Sequence, residues 1–171
     1  MQTISGIAAA LVAAAVIGAA AQTPPAATPS AAAPPLRGPV SSALNYVPGV
    51  GDLMNLLVQP RHAKLGLAAR ERNWELAAYA HKELAQALST VAKVQPKFRN
   101  LTVAEMIESM TAEPMGAVET AIQAKDAKKL AKAYDSLTDG CNSCHAAVNH
   151  GFIVIKTPEA SSFPNQEFKG P

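Results

Sequence analysis

Two cysteines and a histidine stand together in this sequence as Cys141-Asn142-Ser143-Cys144-His145. Thiols three residues apart lie about one helical turn from each other. Both can reach the vinyl groups of one porphyrin and form thioethers, and the adjacent imidazole then stands beneath the iron as proximal ligand. This is the c-type haem attachment pattern, and chance produces it on the order of a few times in ten thousand. Two other chemistries use the same residues. A dithiol redox pair starts a helix after a strand, where the helix N-terminus lowers the thiol pKa; here the pair closes a helical run with no βαβ pattern. A zinc site needs two further ligands, and His150, His62 or His81 could be conscripted, but no spacing specifies them.

The composition is compatible with one modest globular domain. The chain has 171 residues, 49% of them hydrophobic, though alanine inflates that figure, with 16% charged, 5% aromatic and two cysteines. Fifteen Lys/Arg against thirteen Asp/Glu leave +2, too little basic excess to suggest nucleic acid. Two cysteines cannot make a disulfide framework. Residues 1–21 form an apolar stretch ending in Ala19-Ala20-Ala21, the form of a secretory signal peptide, although the segment lacks Lys and Arg. A retained membrane anchor is the alternative. With the signal cleaved, no stable membrane insertion is expected, and export points to a periplasmic location. Residues 22–49 read as a Pro/Ala-rich linker; six of the thirteen prolines fall between Gln22 and Pro39, where no packed core can form. Residues 50–171 are left for the folded domain.

Helical spacing dominates that region. A first helix spans Asp52 to Arg72, with Pro60 predicting a kink at Leu56–Pro60 or a restart there. Asn73 is an N-cap for a second helix that Pro96 closes. Thr102-Val103-Ala104-Glu105 has the form of a capping box opening a third. Pro114 predicts a break and a shorter helix from Met115 to about Ala124. Asp126 caps the last helix, which carries the cysteines. Strand-like alternation appears only at Phe152-Ile153-Val154-Ile155. The expected fold is all-α: an antiparallel four-helix bundle, with haem near the C-terminal end of the last helix and an extended C-terminal tail.

With these residues placed, the chain resembles the class II cytochromes c, which include cytochrome c′. The runs QPRHAKLGLAARERNWELAAY, AYDSLTDGCNSCH and GFIVIKTPEASSFPNQEF carry a likeness to small bacterial monohaem cytochromes, from about Gly51 to Phe168. The specific part is CNSCH with the aromatic–aliphatic segment after it and Asn165-Gln166. Pro60 and Gly66-Leu67 depart from the family pattern. The resemblance implies one covalently attached haem c held by Cys141 and Cys144, with His145 on the iron. Arg61 would be a haem-propionate partner and Leu65 would lie over an open iron, as in cytochrome c′. Low-spin relatives take a first-helix methionine instead, here Met54. Relatives also dimerise through their first two helices, so a homodimer is a candidate state.

The distal position stays open between His62 and Met54. They lie about 12 Å apart along a helix and cannot be interchangeable. Helix one cannot start before Pro48-Gly49, and a partner level with His145 then falls well inside it, which favours His62. Arg61 and Lys64 are counter-charges for buried propionates. Phe152, Ile153 and Ile155 should cover a haem edge. His81 reads as a core histidine, His150 as a surface residue at a helix end, and Trp74 as core or haem-edge packing. No acid–base pair or nucleophile constellation stands out, so no enzyme is expected. The leading function is single-electron transfer with redox partner proteins. The alternative is a five-coordinate haem protein that binds or senses diatomic gas.

Overall fold

The computed structural model describes residues 46–170; the expected signal segment and most of the expected linker lie outside the described residues. Helix α1 runs in three consecutive stretches, Val50–Leu53, a π-helical turn Met54–Val58, and Gln59–Arg70. Helix α2 is Trp74–Val94, α3 is Val103–Gln123 and α4 is Ala127–Ala147. Between α2 and α3 a two-stranded antiparallel hairpin pairs β1 (Lys97–Phe98) with β2 (Leu101–Thr102). The hairpin was not expected. The described part of the protein is therefore mostly helical, with α1 on α2, α2 on α3, α3 on α4, and α1 also touching α4.

Local signals account for the helix starts. The Asn73 side chain accepts from the Leu76 amide at 3.1 Å, and Asp126 accepts from the amides of Lys128 and Lys129. Each satisfies donors that the first helical turn leaves unpaired. Thr102 is the N-cap of α3, but its side chain makes no cap hydrogen bond. Its hydroxyl instead accepts from Lys97 Nζ across the hairpin at 2.7 Å. Three helices end alike, on a residue with positive φ: Arg72, Lys125 and Asn149. The amide that follows each reaches a carbonyl five residues back. That is the bond pattern of a glycine cap, made here without glycine.

Pro60 forces no restart: helical hydrogen bonding runs on across it, with a π-helical turn taken up ahead of it. The Gln59 amide donates to the Met54 carbonyl, five residues back. One extra residue in the turn relieves the crowding between the proline ring and the carbonyls before it. Pro114 does not break the third helix; α3 is continuous from Val103 to Gln123 with Pro114 inside. The proline leaves the Met110 carbonyl without its usual donor. Gly140 of α4 packs directly on that carbonyl, so closely that a Cβ there would overlap the oxygen.

A second close approach joins α1 to α4. A Cβ on Gly66 would stand 2.6 Å from the Tyr134 ring and 2.9 Å from Pro158. The core around these contacts is aliphatic, with Leu65, Leu67, Leu84, Val91, Val103, Val118, Leu130 and Leu137 fully enclosed. Residues 148–170 form no helix or strand. They fold back along α1, burying Phe168, whose carbonyl accepts from Asn73 Nδ2 at 3.2 Å.

These contacts decide the sign of glycine substitutions. Alanine gains about 1 kcal/mol over glycine inside a helix, whereas overpacking costs about 1–3 kcal/mol. Gly66→Ala and Gly140→Ala should therefore destabilise by a net of up to about 2 kcal/mol. Gly116, with nothing within 4 Å of its Cβ position, should stabilise α3 by up to about 1 kcal/mol as alanine. Urea unfolding of the three variants separates these outcomes, and equal effects at all three positions would contradict the packing described.

Candidate functional site

A cleft opens among α1, α3, α4 and the segment after α4, next to the Gly140 contact. Its cavity volume is about 200 Å³, below the roughly 300–1,000 Å³ of typical small-molecule sites, and its mouth is open to solvent. Most of its wall is apolar: Val50, Val58, Leu88, Phe98, Val103, Ile107, Ile153 and Ile155 contribute. Met54 reaches it from the π-helical turn, and Met106 and Met110 from α3. Cys141, Cys144 and His145 line the opposite side together. The turn that offsets Pro60 is thus also the turn that presents Met54.

His145 is held in one tautomer. Its Nδ1 lies 2.8 Å from the Ile153 carbonyl, and a carbonyl only accepts, so Nδ1 carries the proton. Nε2 then keeps its lone pair, the state a metal-ligating imidazole needs. The Ile153 carbonyl is in place because Asn142 grips the same segment in both directions. Asn142 Nδ2 donates to the Ile155 carbonyl at 2.9 Å, and Asn142 Oδ1 accepts from the Ile155 amide at 2.8 Å. The chain turns back over the motif at Asn149, where the His150 amide donates to the His145 carbonyl at 2.7 Å. Two residues inside the five-residue motif therefore hold the wall beside it.

The thiols are free. Burial, and secondarily the neighbouring Cys144, pushes Cys141 up to about 11; burial also raises Cys144. Both are thiols at neutral pH. A dithiol exchange centre needs the opposite shift, since the thiolate is the nucleophile. No group of three or more metal-binding side chains exists among the described residues.

His62 reaches the cleft wall, yet both ring nitrogens face protein. Thr138 Oγ1 donates to the Tyr134 carbonyl at 2.9 Å, which leaves its oxygen to accept from His62 Nε2 at 3.0 Å. The Tyr134 hydroxyl points at the His62 carbonyl at 2.9 Å and at Nδ1 at 3.0 Å, and the two rings stack at 4.7 Å. Burial pushes the Tyr134 hydroxyl well above its ordinary range and lowers His62 to about 4.

Several expected site residues lie elsewhere. Arg61 donates to the Leu57 carbonyl at 2.9 Å and pairs with Glu83 of α2 at 3.6 Å. Lys64 sits over the Phe163 ring, 4.8 Å from its centroid. Neither lines the cleft, because each is drawn to the neighbouring element its own helix face meets. Leu65 is fully enclosed in the core and does not line the cleft. Phe152 is 79% exposed and outside the cleft, while Ile153 and Ile155 line it. His150, expected at the surface, forms part of the cleft wall and donates from Nδ1 to the Val148 carbonyl. His81 donates to the Met115 carbonyl at 3.0 Å, away from the cleft. Trp74 is partly buried against the core. Sequence reasoning missed Met106, Met110 and Asn142. The first two are four apart on one helix face, a spacing that was legible; the Asn142 clip depends on a partner 13 residues away.

No family model matches the chain, and neither a curated protein nor a solved structure matches it.

Two measurements test this geometry. Asn142→Ala removes two hydrogen bonds worth about 1 kcal/mol each and should speed amide hydrogen exchange at Ile155. Asn142→Asp keeps the acceptor and should retain protection there. His62 supplies the second. Its folded pKa, about 4 against 6.5 for the free side chain, lies below the unfolded one, so the unfolded chain binds the proton first. Stability contributed by neutral His62 is complete above pH 6.5 and is lost as pH falls toward 4, by about 3 kcal/mol at 1.36 kcal/mol per unit. His62→Gln should flatten that slope in urea titrations; an unchanged slope would assign the acid sensitivity to another group.

Proposed function

We propose that this protein is a periplasmic c-type cytochrome of the class II kind, carrying one covalent haem c and passing single electrons between redox partner proteins. The observation that carries the reading is His145: its proton is fixed on Nδ1 by the Ile153 carbonyl, and its Nε2 is left free beside two cysteines on the wall of an apolar cleft. The residues present fit the group. Cys141 and Cys144 supply thiols, each able to add S–H across one vinyl C=C, sulfur to one carbon and hydrogen to the other, with no oxidant required. His145 offers the proximal nitrogen. The aliphatic wall excludes water. When bound, the haem supplies the one-electron chemistry, with its potential tuned by burial and axial ligand.

Successive helices joined by short connections, with α1 also touching α4, support the antiparallel four-helix arrangement. On this reading the end of α4 lies beside the start of α1, whose Val50 and Met54 line the same cleft as Cys141. On that side Met54 is the better distal ligand. Turning His62 toward an iron would strip partners from buried Tyr134 and Thr138, at about 1–3 kcal/mol for each group left unsatisfied. Met54 makes no hydrogen bond that ligation would break. A methionine ligand also raises the potential above that of a bis-histidine centre.

Mass spectrometry of the chain from cells competent in haem attachment is the first test. We expect one haem on the polypeptide and none on the Cys141→Ala/Cys144→Ala double variant; a bare parent polypeptide would refute the reading. Optical and magnetic spectra then assign the distal side. The parent and His62→Ala should be low-spin, and Met54→Ala high-spin. A high-spin parent that binds carbon monoxide freely would instead favour the diatomic-gas reading.

A further inference from the structure

The segment after α4 has two faces. Ile153 and Ile155 line the cleft, whereas Phe152 and Val154 are 79% and 72% exposed. An exposed aromatic and an exposed valine on a segment clipped in place by Asn142 are not left over from a loose loop. The Phe152 ring continues into a surface row: it lies 5.5 Å from His150, which lies 6.0 Å from Phe98, which lies 5.6 Å beneath the Arg99 guanidinium. His150 and Phe98 themselves line the cleft, so the row runs from the cleft wall to solvent.

Cations predominate on this face, with the Asp135 carboxylate at its edge accepting from Thr157 Oγ1 at 3.0 Å. The two segments that meet at Phe98 and His150 are residues 93–102 and 146–158. They contain Lys93, Lys97, Arg99 and Lys156, all exposed, and no Asp or Glu. Acids flank these segments, Glu105 in the first turn of α3 and Glu159 directly after Pro158, so the excess of cations is local to the segments themselves.

Resting on the cytochrome reading, we propose that Phe152, Val154 and the cations Arg99, Lys97 and Lys156 form the docking surface for an acidic redox protein, one whose own electron port is apolar and ringed by carboxylates. The surface has the usual division of a transient interface, an apolar contact centre with a charged rim. The cations steer the encounter, and the apolar pair sets the close approach. The His145 Nδ1–Ile153 hydrogen bond ties the imidazole that would hold the iron directly to the docked segment. A second copy of this chain would bring the same cations to the same place and be repelled.

The test uses the full chain and a flavodoxin, an acidic one-electron protein, as probe. Isotope-edited NMR of the chain titrated with flavodoxin should show shifts at residues 97–99 and 152–156, whether or not haem is present. With haem attached, the rate of electron exchange with reduced flavodoxin should fall steeply with added salt. Arg99→Glu/Lys156→Glu should slow it about tenfold at low salt and flatten the salt dependence. Phe152→Ser should slow it severalfold with the salt dependence kept. Lys128→Glu/Lys129→Glu makes the same charge change at the start of α4 and should leave the rate within about twofold. An equal loss in that control, or shifts centred elsewhere, would overturn the proposal. Stronger perturbation of the same residues by phosphatidylglycerol vesicles than by flavodoxin would overturn it in favour of a lipid surface. Absence of haem would defeat only the cytochrome reading, because the NMR footprint decides docking independently.

Discussion

Gly140 packs onto the backbone carbonyl of Met110, and the placement of the cysteine motif depends on that contact. A helix–helix approach this close needs a residue without Cβ on one side and a carbonyl free of its helical partner on the other. Pro114 provides the second by withholding its N–H. Since Cys141 follows Gly140 directly, α3 and α4 touch where the cleft ends and separate where the thiols need room. Met110 itself belongs to the cleft wall. The proline therefore acts on the site across two helices, and it does so without ending its own.

The other wall is set by the Gly66–Tyr134 approach. With no side chain on Gly66, the phenol lies flat enough on α1 to reach the His62 carbonyl and ring. His62, Tyr134 and Thr138 then form a closed polar group in which the one Tyr134 hydroxyl hydrogen is shared between the His62 carbonyl and Nδ1, and no buried side-chain nitrogen or oxygen among the described residues is left unpartnered. Such a group locks the register of α1 against α4, because sliding either helix would orphan several buried atoms at once. Imidazole spent in this way is a spacer between helices, and Met54, two turns earlier on the π-helical turn, is left as the soft, uncommitted group facing the cysteine side.

What could be read from the sequence divides by the range of the interaction. Asn73 and Asp126 cap helices through amides two or three residues away, so residue type and position sufficed. The spacing of Cys141, Cys144 and His145 is likewise local, and they do share one wall. Pro114 misled because the contact that tolerates it comes from Gly140 on another helix. Pro60 forces no restart, and the π-helical turn ahead of it was not legible because its cause is not a residue type. Lys64 was assigned by charge, and Arg61 by charge and family resemblance, yet their positions follow from Phe163 and Glu83, which no spacing rule connects to them. Phe152 was assigned by hydrophobicity; the alternation of the segment put Ile153 and Ile155 inward and sent it outward.

The proposed one-electron role would gain from a frame that does not rearrange when the charge of its centre changes, and the parts around His145 hold one another in place. Ligand orientation rests on a carbonyl, the carbonyl on a two-way amide clip, and the clip on a residue of the attachment motif itself. Each link is a hydrogen bond from a side chain on the helix to the backbone of the segment that follows it. Burial keeps both thiols protonated, so the cleft holds no anionic sulfur in an apolar wall, a state that would be costly there. On the proposed reading, attachment would replace two weakly polar S–H groups with thioethers and leave that neutrality unchanged, while the exposed cations around Phe152 stay in water, where salt can modulate them.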